Sequence, residues 1–132
     1  MVALKNFKTY SNGEEKLIGK WKYMDTADDF KSVRIIDSEG EYLGEVRRTN
    51  EADTKGDNYF LTIGEKQVMG HKEEKGWSVY EVVEGEKKLI PIDNNSVRAK
   101  NLKNIFFEAR TTLRIGGRKQ RTTPRISNSR KA

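Results

Sequence analysis

Hydrophobic and polar positions alternate through most of the chain before Asn95, and short polar stretches that contain glycine interrupt the alternation. Residues 16–24 (KLIGKWKYM) place Leu17, Trp21 and Tyr23 on one side, as a half-buried strand requires. The segment 25–30 (DTADDF) is too polar to continue that strand. Val33 and Ile35 share one face of the next strand, and Tyr42, Gly44 and Val46 share one face of the strand after it. Between them lies Asp37-Ser38-Glu39-Gly40, where Gly40 can take the positive φ that a tight reversal needs, so a hairpin is expected. Residues 49–58 (TNEADTKGDN) have no apolar side chain except Ala52 and read as a solvated loop. Tyr59, Leu61 and Ile63 resume the alternation, and Gly64-Glu65-Lys66 turns the chain toward 67–70. The HKEEKG segment reverses it again before Trp77, Val79 and Val83. Glu84-Gly85-Glu86-Lys87 is a further turn, and residues 88–92, with Pro91, form a short closing strand. The N-terminal VALKNFKTY is a candidate edge strand.

Short strands at regular spacing, separated by such turns, predict a small antiparallel β-barrel or sandwich. The period changes after Asp93-Asn94-Asn95-Ser96, any of which can cap a helix. Leu102, Ile105, Phe106, Ala109 and Leu113 fall on one helical stripe, and Gly116-Gly117 ends it. Strands through 106–115 (FFEARTTLRI) remain an alternative, because Thr, Ile and Phe favour them, but five apolar positions on one stripe favour the helix. The expected fold class is therefore α+β. A β-rich body (1–95) is followed by an amphipathic helix packed on it (96–115) and a basic, flexible tail (116–132) whose one large apolar residue is Ile126.

A length of 132 residues, with 34% hydrophobic and 35% charged residues, bounds the chain to about one domain with a modest core. Charge sharpens the division. Residues 1–95 hold 15 Lys and Arg against 19 Asp and Glu, a formal −4, whereas residues 96–132 hold 11 Lys and Arg against Glu108 alone, a formal +10. Such asymmetry points to a body and an arm with different partners. No cysteine is present, which removes disulfides, thiolate nucleophiles and cysteine-ligated zinc. No apolar run approaches the roughly 18 residues of a membrane span, and residues 2–10 lack a signal peptide's apolar centre, so a cytoplasmic protein is expected, or a virion component if the source is viral.

On the helix, Lys100, Lys103, Arg110 and Arg114 fall in one arc opposite the apolar stripe, with Phe107 among them. The strip continues into Arg118, Lys119, Arg121, Arg125, Arg130 and Lys131. Cations of this density suit a polyanion: they neutralise phosphates and release counterions, while an aromatic ring stacks on an unpaired base. Trp21, Trp77, Tyr23, Tyr59 and Tyr80 are either stacking platforms on a sheet or, as is commoner, core packing. Lys20, Lys22, Arg34, Arg47 and Arg48 would have to collect on one face for the acidic body to join in.

Catalytic equipment is sparse. His71 is the one histidine and has neither a second His nor a Cys for a relay or a zinc site. Asp25, Asp28 and Asp29 lack the spacing and closing Glu of a calcium loop, and no glycine-rich loop cradles a phosphate. No enzyme activity, cofactor or metal is expected. The segment VRIIDSEGEYLGEV (33–46) resembles the hairpins of PRC-barrel domains and of the N-terminal domain of bacterial translation initiation factor 3. It spans 14 of 132 residues and brings no functional residue with it. Two function classes follow. One is a nucleic-acid-associated protein that grips phosphates without reading sequence. The other is a structural subunit of a virus particle or ribonucleoprotein whose arm docks on acidic surfaces of neighbouring subunits.

Overall fold

The turns at 38–40, 64–65 and 74–75 reverse the chain between adjacent antiparallel strands, so the body is a meander. The computed structural model describes residues 13–28, 30–49, 57–83 and 88–121. A helix over 13–20 (α1) leads into β1 (Trp21–Thr26), β2 (Ser32–Asp37), β3 (Tyr42–Thr49), β4 (Asp57–Ile63), β5 (Lys66–Glu73), β6 (Gly76–Val83) and β7 (Lys88–Pro91). Helix α2 (Val97–Ile115) follows, then β8 (Arg118–Gln120). The single sheet runs β7-β6-β5-β4-β3-β2-β1-β8, so the chain crosses the sheet through α2 and returns to pair outside β1. No helix among the described residues is long and apolar enough to cross a membrane.

The α+β class and the C-terminal helix are as expected, but the sheet closes into neither a barrel nor a sandwich. Among the described residues, strands β7 and β8 are its two open edges. The reason lies in α2, which touches β1 and β2 near one end of the sheet and β5 and β6 toward the other. A twisted sheet that meets one helix from both ends is curled round it, and the helix itself supplies the second layer that covers the apolar face. Leu102, Ile105, Phe106 and Ala109 are buried and Leu113 is partly buried, as the stripe predicts; Ala99 and Thr112 widen it. They pack over Trp21, Met24, Ile35, Val46, Leu61, Val68 and Val79. Phe106 stacks on Trp77 with centroids 5.8 Å apart, and Trp77 meets Tyr59 edge-on at 5.4 Å. Gly70 lies directly beneath, where a Cβ would come within 2.5 Å of the Phe106 ring.

Both ends of α2 follow local rules. Ser96 is the N-cap, its Oγ accepting from the Ala99 N–H at 3.0 Å, and Gly116 closes the helix at φ 66 with its N–H on the Thr112 carbonyl. In the β2–β3 turn Gly40 sits at φ 83, while Asp37 Oδ1 accepts from the N–H groups of Glu39 and Glu41.

Several local expectations are corrected. Residues 13–20 are helical, so Leu17 reaches the core from α1, and the strand starts at Trp21. A bulge lies between Trp21, opposite Asp37, and Tyr23, opposite Ile36, so Trp21 and Met24 are buried while Tyr23 turns outward. A second bulge pairs Ile35 with Gly44 but Ile36 with Tyr42; Leu43 joins the core and Tyr42 is exposed. One inserted residue exchanges the two faces of a strand, and the alternation alone does not reveal it. Strand β1 continues through Asp25 and Thr26 because the arm supplies partners for both side chains. Residues 118–120 pair as β8. The N-terminal candidate strand, residues 50–56 of the loop, and residues 122–132 of the tail lie outside the described residues.

Candidate nucleic-acid interface

Helix α2 has one face under the sheet and one toward water. Lys100, Lys103, Phe107, Arg110 and Arg114 fall within an arc of about 80° at 100° per residue. Lys100, Phe107 and Arg114 run along the exposed crest, with Phe107 53% exposed, and Lys103 and Arg110 sit half-buried on its flank. Glu108, the one carboxylate of residues 96–132, is turned into the fold and is only 3% exposed. The outward face of α2 therefore carries cations and no acid.

The cations closest to the body serve the fold. Arg98, in the first turn of α2, forks onto Glu14 through Nε (2.8 Å) and Nη2 (3.0 Å) and reaches Glu81 through Nη1. Lys66 Nζ adds a contact to Glu14 at 3.0 Å. Burial pushes the Glu14 carboxyl upward, but Arg98 and Lys66 more than reverse this and hold it below its ordinary value. Hydrogen bonds to Glu14, more than those to Glu81, raise Arg98 above the usual guanidinium range against the opposing effect of burial. A cleft of about 430 Å³ opens beside this group, lined by Glu15, Ile18, Gly19, Val97 and Asn101 as well, and its Glu14, Lys66 and Arg98 side chains are already paired with one another.

The start of the arm is likewise engaged. Arg118 Nε donates to Asp25 Oδ1 at 2.8 Å, with its guanidinium 4.3 Å from the Tyr23 ring centre. Lys119 stands opposite Met24 in β8. Arg121 donates to the carbonyls of Ile18 (2.9 Å), Gly19 (3.3 Å) and Trp21 (3.2 Å), and lies 5.4 Å from the Trp21 ring. The first two of these carbonyls lie at the end of α1, where intrahelical partners run out and the negative end of the helix dipole favours a cation. Burial pulls the Arg121 pKa down, and the Glu108 charge works against that pull. Nothing local in the sequence marks Arg118 or Arg121 for these roles, because their partners lie about a hundred residues away. Arg125, Arg130 and Lys131 lie outside the described residues.

Phe30 was not anticipated. It stands alone in a polar segment, is 67% exposed, and holds a left-handed φ of 58. Its ring lies beside the C-terminus of α2, where a Cβ on Gly116 would be 3.9 Å from Phe30 Cε1. Lys31 and Arg48 are close by in the chain path, the Arg48 N–H donating to the Lys31 carbonyl. The body aromatics divide differently from a platform: Trp21, Tyr59 and Trp77 are core, while Tyr23 and Tyr80 are half-buried on the outer side. His71 Nδ1 lies 2.6 Å from Asn58 Oδ1. Carboxylate oxygens of Asp37, Glu39 and Glu41 approach within 4.8 Å, but the Asp37 side chain already caps its own turn. No known protein family, curated protein or solved structure matches the chain.

Proposed function

We propose that the protein is a non-enzymatic nucleic-acid-associated protein that grips phosphates, without reading sequence, through the outward face of α2 and the arm beyond it. The observation that carries this reading is the placement of Glu108: α2 buries its one acid and leaves Lys100, Lys103, Arg110 and Arg114 on the other side. Each phosphate neutralised releases counterions, so affinity for a labelled oligonucleotide should fall linearly on a log–log plot with salt, with a slope of about 0.7–0.9 per contact. Replacing Lys100, Lys103 and Arg114 together with Gln should lower that slope by about two to three. A salt-insensitive or undetectable interaction would overturn the reading. It would favour the second one, a subunit of a larger assembly, to which the open edge β7 with its exposed Leu89 and Ile90 lends support.

A further inference from the structure

Register separates the two faces of the sheet. Gly70 lies under Phe106 and Glu81 reaches Arg98, so the face that carries Tyr59, Leu61, Val68 and Val79 is the one beneath α2. The alternate positions point the other way. Toward the β8 edge these outward positions are charged: Asp25 stands between Arg118 and Arg34, and Arg34 stands opposite Glu45. That is the polar face an antiparallel sheet shows to water. On β4 to β7 the pattern changes. Phe60, Met69, Tyr80 and Pro91 form one row across the four strands, and Val82 stands opposite Leu89 in the next. Among the described residues, Glu73 is the one Asp, Glu, Lys or Arg at an outward position of these strands, in a chain of which 35% is charged. Phe60, Tyr80 and Val82 are half-buried and Leu89 and Pro91 exposed, while Met69, only 8% exposed, lies outside the core cluster under α2.

We propose that the outward face of β4 to β7 is a homodimer interface, covered by the same face of a second copy of this chain. A two-fold contact sets a patch against itself, so every charge in it meets its own kind. This patch is nearly free of charge, and its neighbours Thr62 and Gln67 are neutral and hydrogen-bonded to each other. A nucleic acid would need cations here, and an acidic or basic partner would need the opposite charge. Two such faces stacked about 10 Å apart form the sandwich that one chain lacks. The contact uses the face and not the edge of β7. The Ile92 N–H donates inward to the Val79 carbonyl, so the backbone groups turned outward on β7 are those of Leu89 and Pro91, and proline has no N–H to offer. Four strands at about 4.8 Å and five residues at about 3.3 Å give a patch of roughly 300 Å² in projection. A stable complex covers roughly 800 Å² per partner, so the dimer is weak and depends on concentration. It is independent of the phosphate grip, because α2 covers the other face.

The test is sedimentation equilibrium of the full chain from about 5 to about 500 µM, without nucleic acid. Salt at about 0.5 M screens attraction between the basic arm and the acidic body of another copy, and leaves apolar contact intact. The chain should be half dimeric at a concentration on the order of 100 µM. Leu89→Lys and Val82→Lys each place like charges across the interface and should raise the dissociation constant at least about tenfold. Both should melt within a few degrees of the parent, since neither side chain belongs to the core cluster. Dilution of the unaltered chain gives a second measurement that needs no variant: NMR shifts should move at Phe60, Met69, Tyr80 and Leu89 and stay fixed along α2. A monomer at every concentration would overturn the inference. So would a dimer that forms as well with Leu89→Lys and Val82→Lys, or dilution shifts confined to other surfaces. Salt-dependent oligonucleotide binding by a strictly monomeric chain would leave the phosphate reading standing alone.

Discussion

Glu14 shows how a single residue ties the fold together. It lies on α1, is 5% exposed, and accepts from Arg98 on α2 and Lys66 on β5. Removing a carboxylate from water is unfavourable, and only the two cations make its charged form the stable one. Its folded pKa therefore lies below the value of the unfolded chain. The sign follows from linkage. A carboxylate with a depressed folded pKa contributes its stability above the unfolded value of about 4.5, and loses it as pH falls through the folded value. Glu14→Gln should cost about 2 kcal/mol at neutral pH, in line with the loss of charged hydrogen bonds in a partly buried site. Between about pH 5 and pH 3 the urea midpoint of the parent should then fall further than that of the variant, so that the two curves converge. Parallel curves across that range would show that the cluster does not set the acid response. None of this was legible in the sequence, where Glu14 is one of two adjacent glutamates ahead of the segment 16–24 that reads as a strand.

At the scale of elements, the sequence was most informative where one period runs long and least where it is short. Helix α2 was legible because five apolar positions repeat over three turns, with Ser96 and Gly116 at its ends. Strands β2, β4 and β6 were legible in their alternation and turn chemistry. Helix α1 was not, because eight residues that end in Gly19-Lys20 and run straight into a strand leave no break in the pattern. The two bulges escaped notice because a bulge changes which face a residue takes without changing residue type. Edge strand β8 escaped because three polar residues pair with β1 through backbone bonds that any sequence makes. The division of α2 into two faces is directly testable. Phe106→Ala should cost about 3–5 kcal/mol, since Phe106 fills the space over Gly70 and stacks on Trp77, whereas Phe107→Ala should change stability by less than about 0.5 kcal/mol. Denaturant titration separates these outcomes. Comparable large losses at both positions would contradict the burial pattern of the helix.

On the scale of the whole molecule, the arm is two things in sequence. From Arg118 to Arg121 it completes the sheet. Backbone bonds join it to β1 and Lys22, Arg118 holds Asp25, and Arg121 occupies the end of α1 against Trp21. Beyond Arg121 come Arg125, Arg130 and Lys131, three cations and no acid. Truncation at the two places should therefore have different effects. A chain ending at Arg121 should melt within a few degrees of the parent, because every described contact of the arm remains. Its binding to nucleic acid should weaken, and its salt slope should fall by up to about two to three, at 0.7–0.9 per lost phosphate contact. A chain ending at Gly117 loses six cations, these three with Arg118, Lys119 and Arg121, and also exposes the carbonyls of Ile18, Gly19 and Trp21 and the edge of β1. Loss of several hydrogen bonds of which some involve a charged donor amounts to about 2–3 kcal/mol. In a domain of this size that corresponds to roughly 10 °C in Tm. Calorimetry and salt-titrated anisotropy on the three chains read the two effects separately. If the chain ending at Gly117 melts with the parent, β8 and Arg121 are passengers on the sheet and the whole arm belongs to the ligand. If the chain ending at Arg121 keeps the parent's salt slope, the last three cations do not meet phosphate, and the grip lies on α2 alone.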